Sequence, residues 1–120
     1  MKTVLVADDK ETSRELVRTV LENRGYAVVE ASDGIEALRK ARECKPDLII
    51  LDLHMPGLDG FAVVREIRLD GQLALTPVMA LTASAMQGDR ERALSAGFTS
   101  YIAKPIQLSI LRDEVERMIQ

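Results

Sequence analysis

Aromatic residues are scarce in this chain. Tryptophan is absent, and two tyrosines and two phenylalanines make up 3% of 120 residues. Aliphatic side chains must therefore build the core. Cys44 is the only cysteine, which excludes an internal disulfide and leaves the thiol without a partner for a redox pair or metal site. His54 is the only histidine. No apolar run approaches membrane-spanning length. The run after Met1-Lys2-Thr3 is cut short by Asp8-Asp9, unlike the core of a signal peptide. The net charge is −3 and the isoelectric point near 5.2, which is not the basic footprint of a protein that grips nucleic acid or anionic lipid directly. The expectation is a cytoplasmic protein with no direct nucleic-acid or membrane partner. The length suits one domain, residues 1–120, and the 47% hydrophobic content suits a single sizeable core.

What is present is a repeated alternation. Leu48 to Leu51 is an apolar run too short for a helix, bounded by Pro46 and by Pro56-Gly57. Such a run reads as a strand buried on both faces, as in a parallel sheet covered by helices. Val4 to Ala7, Pro77 to Leu81 and Tyr101 to Ala103 read the same way, and Tyr26 to Ala31 alternates weakly, like a strand nearer the sheet edge. Helical patterns separate them. The first runs from about Glu11 to Arg24, with Leu16, Val17, Val20 and Leu21 on one face and Gly25 closing it. Asp33-x-x-Glu36 forms a capping box for a helix to about Cys44. Asp59 caps a helix from about Gly60 to Leu69. Ser84-x-x-Gln87 makes another capping box, for a helix ending at Gly97. The last helix spans about Gln107 to Ile119, with Leu108, Leu111, Val115 and Met118 on one stripe. Strand then helix, five times over, predicts an α/β doubly wound domain. It is a five-stranded parallel sheet with helices on both faces, in the flavodoxin-like order 2-1-3-4-5.

Chemistry-bearing residues stand where these strands end. Strand one ends in Asp8 and Asp9, strand three in Asp52, strand four in Thr82 and strand five in Lys104. Ligands of open α/β sheets bind at that edge. Each residue alone has a plain explanation: an Asp starts a helix, a Thr makes a turn, a Lys is solvated. Turn formation does not require three acids, a hydroxyl and an ammonium to converge. Packed carboxylates repel one another, and a hard divalent cation relieves that repulsion. Mg2+ is held by one or two carboxylates together with water and phosphate, so it suits this small set of ligands better than Ca2+. A hydroxyl and an ammonium suit phosphoryl oxygens, and a carboxylate facing them is placed to accept a phosphoryl group.

Over nearly its full length the chain resembles the receiver domain of two-component response regulators. The matching motifs are Val4-Leu-Val-Ala-Asp-Asp9, Asp52-Leu-His-Met-Pro-Gly-Leu-Asp-Gly60, Leu81-Thr-Ala83 and Lys104-Pro105. The resemblance implies that Asp52 is the phosphorylated aspartate and that Asp9 and Asp52 ligate Mg2+ directly. It implies that Asp8 acts largely through a bound water and that the backbone carbonyl of His54 completes the protein ligands. Thr82 and Lys104 would hold the phosphoryl oxygens, Pro105 would follow a cis peptide bond, and Tyr101 matches the family's aromatic switch residue. The stretch Leu81 to Asp89, with Ala83 after the threonine, is similar to stand-alone cell-cycle regulators and hybrid-kinase receivers. The imidazole of His54 has no companion ligands and is read as a bystander.

Three functions compete. The first is a phosphorylation switch of a phosphorelay that receives its phosphoryl group from a sensor histidine kinase or histidine phosphotransfer protein. It would catalyse its own Mg2+-dependent phosphotransfer and dephosphorylation without being a dedicated turnover enzyme. The second is a Mg2+-dependent phosphohydrolase with an aspartyl nucleophile, resembling the haloacid-dehalogenase type, although that chemistry needs an acid where this chain has His54. The third is a binding module that is never phosphorylated. For the switch, the resemblance implies that Thr82 and Tyr101 move and that a protein partner reads the fourth helix, fifth strand and last helix, with the chain a monomer or a weak phosphorylation-dependent dimer. No effector domain follows Gln120 in this sequence, so the signal is expected to leave through the domain's own surface or through a region not included in it.

Overall fold

The computed structural model describes residues 1–83 and 87–119. Each apolar run forms a strand: β1 (Thr3–Ala7), β2 (Ala27–Ala31), β3 (Leu48–Asp52), β4 (Val78–Thr82) and β5 (Ser100–Ala103). Five helices alternate with them: α1 (Glu11–Asn23), α2 (Gly34–Cys44), α3 (Gly60–Leu69), α4 (Gln87–Ala96) and α5 (Leu108–Ile119). All four strand pairs are parallel, in the order β2-β1-β3-β4-β5. The predicted fold is the observed one.

Side chains alternate along a strand, so each central strand feeds two cores. Val4, Val6, Leu48, Ile50, Met79, Leu81 and Ile102 pack against Val17 and Leu21 of α1 and Leu111, Val115 and Ile119 of α5. Leu5, Ile49, Leu51 and Ala80 pack against Ala37 and Ala41 of α2, Val63, Val64 and Ile67 of α3, and Ala93 of α4. Burial on both faces is why β3 and β4 read as continuous apolar runs. Edge strand β2 is half-buried along most of its length.

Two helix faces differ from expectation. Leu16 is exposed, because α1 meets the sheet along Val17 and Leu21, one turn apart. Leu108 is exposed as the first residue of α5, and the buried stripe is Leu111, Val115 and Ile119. The capping box of α2 is half formed in the usual sense. Asp33 accepts from the Glu36 amide at 2.7 Å, but Glu36 reaches back to the Ser32 amide at 2.9 Å instead of to Asp33. Asp59 caps α3 by accepting from the Ala62 amide at 2.9 Å. The predicted Ser84-x-x-Gln87 box lies outside the described residues.

Gly60 fixes how closely α3 approaches the end of β3. A Cβ at this position would lie 2.7 Å from the Asp52 carbonyl oxygen and 2.9 Å from Leu53 Cα, both rigid backbone. Gly60→Ala is therefore expected to destabilise by about 1–3 kcal/mol, as overpacking does. Gly71→Ala, where nothing lies within 4 Å, should change stability by less than about 0.5 kcal/mol. Urea unfolding of the two variants checks this contrast, and equal midpoints would refute the tight approach.

Candidate functional site

The hydrogen-bond ladders continue one residue beyond several strands. The Asp8 amide donates to Ala31 O at 3.1 Å, the Leu53 amide to Leu81 O at 2.9 Å, and the Lys104 amide to Thr82 O at 2.7 Å. Strand alternation therefore still governs side-chain direction at these positions. Asp8 follows the parity of Val4 and Val6, Asp52 that of Leu48 and Ile50, and Lys104 that of Ile102, all on the α1/α5 side of the sheet. The three meet there. Lys104 Nζ lies 2.9 Å from Asp8 Oδ2 and 3.2 Å from Asp52 Oδ2. Asp8 is fully buried and Asp52 is 5% exposed.

Thr82 and Tyr101 belong to the opposite parity. Thr82 is buried and follows Ala80, while Tyr101 is half-buried and packs on the α2/α3/α4 core. Tyr101 pairs in register with Ala80, which makes it a diagonal neighbour of Thr82 on one sheet face. Burial raises the Tyr101 hydroxyl above its ordinary value, and Asp89 adds to this. Ala83 and Pro105 are exposed beside the site, and the Lys104-Pro105 peptide is cis, as expected.

Asp9 is exposed, unlike its neighbour, yet the carboxylates of Asp8, Asp9 and Asp52 each offer an oxygen within 4.8 Å of the others. His54 is exposed, and its backbone amide donates to Asp52 Oδ1 at 3.1 Å, which orients the carboxylate. Burial pushes the Asp52 carboxyl above the usual carboxylate range. The His54 amide and Lys104 oppose this, and the charge of Asp8 adds to it. Burial alone would lower the Lys104 ammonium, but its bonds and attraction to Asp8 and Asp52 outweigh that and raise it. The two directions agree physically: one ammonium is shared by two acids, so it is held firmly while Asp52 is not fully compensated. Three oxygen-donor carboxylates against one ammonium fit a hard divalent cation, and nothing in the set selects a softer metal.

The glycines and caps around these residues were legible as turn signals. Arg14 was not. Its guanidinium donates to the Asp8 carbonyl at 2.8 Å and to Glu30 Oε1 of β2 at 3.2 Å. No local motif announces a contact between a helix residue and an edge strand.

Comparison with known proteins agrees with this geometry. Residues 4–116 match the family model described as the response regulator receiver domain. The polar-differentiation response regulator DivK of Brucella anthropi is 40% identical over 107 residues, covering 89% of this chain and 87% of that protein. Chemotaxis response regulator CheY4 of Vibrio cholerae superposes with a TM-score of 0.93 at 34% identity, covering 98% of both chains. The receiver domain of a Pseudomonas aeruginosa sensor histidine kinase superposes with a TM-score of 0.91 at 37% identity, covering 98% of this chain and 97% of that one. That receiver was solved with a magnesium ion coordinated in its active-site cleft. The chain belongs to the response regulator receiver domain family of two-component systems, whose members are phosphorylation-dependent signalling switches and not dedicated enzymes. These comparisons do not favour the phosphohydrolase. Among the described residues, no helix is long and apolar enough to cross a membrane.

Proposed function

We propose that Asp52 is the phosphoacceptor of a switch spanning residues 1–120, working in the cytoplasm. The observation that supports this most is the pairing of a buried Asp52 carboxylate with Lys104, beside Asp8 and Asp9. In this reading an Asp52 oxygen attacks the phosphorus of a phosphohistidine on a sensor kinase or phosphotransfer protein. The P–N bond breaks, the imidazole leaves and an aspartyl phosphate remains. Asp8, Asp9, Asp52 and the His54 carbonyl would hold Mg2+, which would neutralise phosphoryl charge when bound. Lys104 bonds one phosphoryl oxygen and Thr82 another. The same residues later admit water for dephosphorylation. A groove of about 390 Å3 opens beside Lys104, with exposed Leu16 and Pro105 among its apolar walls, and gives a donor room to approach. Incubation with Mg2+ and acetyl phosphate followed by intact-mass measurement tests the assignment. A decaying single phosphoryl adduct on Asp52 is expected. Rapid turnover of assorted phosphomonoesters would favour a hydrolase instead.

For output, Thr82 moves toward the phosphoryl group and Tyr101 turns inward, which changes the surface of α4, β5 and α5. A partner shifts this equilibrium only by its differential affinity for the two states. Tyr101→Ala should leave phosphorylation of Asp52 within about twofold of the parent, yet weaken phosphate-dependent partner binding or dimerisation about 5- to 100-fold, the usual size of such couplings. Both are measurable in one preparation with beryllofluoride as phosphoryl mimic. Chemical-shift changes confined to the loops beside Asp52 would refute this route.

A further inference from the structure

The loop that carries Asp8 and Asp9 leads into α1, and its junction is unusual. The N-cap of α1 is Lys10, whose side chain makes no capping bond. A lysine carries donors only, so it cannot accept from the first helical amides as Asp33 and Asp59 do in α2 and α3. Something else must hold the turn. The Lys10 amide donates to Asp8 Oδ1 at 2.9 Å, which ties the turn to one acid. A further restraint is Arg14, one helical turn further on. Its Nη1 donates to the carbonyl of Asp8, part of the peptide group that joins Asp8 to Asp9. Its Nε donates to Glu30, and Glu30 is held in turn by Arg18 Nη1 at 2.7 Å. Burial would raise the Glu30 carboxyl, but the two guanidinium bonds prevail and hold it below its ordinary value, so it stays charged. Lys40 of α2 fixes the backbone beneath by donating to Glu30 O at 2.6 Å. Next along β2, the Ala31 carbonyl accepts from the Asp8 amide. Both sides of Asp8 are thus anchored to adjacent residues of the edge strand, one directly and one through Arg14.

Asp9 needs that anchoring. Among the described residues no hydrogen bond or ion pair holds its carboxylate, although it lies close to those of Asp8 and Asp52. The peptide plane between Asp8 and Asp9 sets where the Asp9 side chain starts, and Arg14 clamps that plane. We infer that Arg14, aimed by Glu30, is a positioning residue that keeps the Asp9 carboxylate directed at the divalent-cation site. The inference rests on the reading of Asp8, Asp9 and Asp52 as that site. It goes beyond it by assigning the orientation of the exposed ligand to a guanidinium outside the ligand set.

The sign of the effect separates positioning from charge. Arg14 is a cation next to a cation site, so by Coulomb's law alone its removal would tighten Mg2+ binding. Loss of a positioning partner weakens metal binding, typically by about 10- to 100-fold. The experiment is an Mg2+ titration of the full chain, followed by amide chemical shifts of residues 8–10 and 52–54, on the parent, Arg14→Gln and Arg14→Lys. Metal-free melting is recorded alongside. The expected result is a dissociation constant raised at least about tenfold in Arg14→Gln. Arg14→Lys should give a smaller rise, because an ammonium keeps the charge but cannot bond the Asp8 carbonyl and Glu30 as one planar fork. Unchanged or tighter Mg2+ binding in both variants, whatever their melting temperatures, would overturn the inference. If Arg14→Gln fails to fold, Arg14→Lys decides alone by the same sign. A parent that shows no Mg2+ titration would overturn the cation-site reading itself, a result distinct from failure of the Arg14 assignment.

Discussion

Replacing Asp52 with Asn is expected to abolish phosphoryl uptake and, without metal, to leave a fold more stable than the parent at neutral pH. The amide is nearly isosteric but is a poor nucleophile. Its oxygen can still accept from the His54 amide, as Asp52 Oδ1 does. Lys104 loses one partner but keeps Asp8. What disappears is a buried charge that the fold compensates incompletely. The pH dependence shows this directly. Burial raises the Asp52 carboxyl above its unfolded value, so the folded chain binds that proton more tightly than the unfolded chain. Stability then falls as pH rises from the ordinary carboxylate value through the raised one, and stays lower above it. Glu30, Glu114 and Asp70 are shifted the other way and lose stability as pH falls, so the raw curve of the parent mixes both slopes. The difference between parent and Asp52→Asn isolates the first. Melting temperatures measured against pH in a chelator should diverge as pH climbs through the acid range, with the variant above. Intact-mass spectra with acetyl phosphate should show no adduct on the variant. Normal phosphate incorporation would remove Asp52 from its role, and parallel melting curves would remove the uncompensated charge.

The meeting of Asp8, Asp52 and Lys104 was legible because each stands where a parallel strand ends on one edge of the sheet, and alternation past the last apolar residue brings them to one face. Val6, Ile50 and Ile102 declare the α1/α5 face, so Asp8, Asp52 and Lys104, each two residues on, follow onto it. The same rule separates Asp8 from Asp9, which the sequence presents as a pair: one is fully buried, the other exposed. It also sets Thr82 and Tyr101 on the reverse face. Other features were illegible for physical reasons. Leu16 and Leu108 are as apolar as their buried neighbours, and only the line along which a helix meets the sheet decides which are covered. Arg68 ties the far end of the sheet by donating to the carbonyls of Gly97, Ala74 and Thr76. Backbone carbonyls have no sequence signature, so a lone arginine on a helix gives no warning of this. Arg14 was hidden in the same way, since its partners are the Asp8 carbonyl and a carboxylate on the edge strand.

Lys104→Ala should have the opposite consequence to Asp52→Asn, and a divalent cation should reverse much of it. The ammonium is the cation bonded to both Asp8 and Asp52, and the carboxylates are 1% and 7% exposed. Removing one partner of a buried ionic group costs about 3–5 kcal/mol, because the remaining charges are left in a poorly hydrated site. The metal-free variant should therefore melt well below the parent. The parent should approach the same condition at alkaline pH. Lys104 is raised by its carboxylate partners, so its contribution is intact below the ordinary lysine value and is lost as pH rises through the raised one. Mg2+ held by these carboxylates would compete with the ammonium for their negative charge. Without Lys104 that charge is left uncompensated, so the variant should bind Mg2+ more tightly and gain more stability from it than the parent does. Phosphoryl transfer should still suffer, by on the order of 10²-fold, because a positioned charge that stabilises the transferring group is gone. The pair of variants makes a cycle. Asp52→Asn placed in the Lys104→Ala background removes one of the two stranded carboxylates, so the double variant should be more stable without metal than Lys104→Ala alone, and far from additive. Calorimetry of all four proteins, with and without Mg2+, measures each term. A Lys104→Ala chain that melts with the parent in chelator, or that binds Mg2+ no better, would mean the ammonium does not compensate these acids, and the charge balance drawn for the site would be wrong.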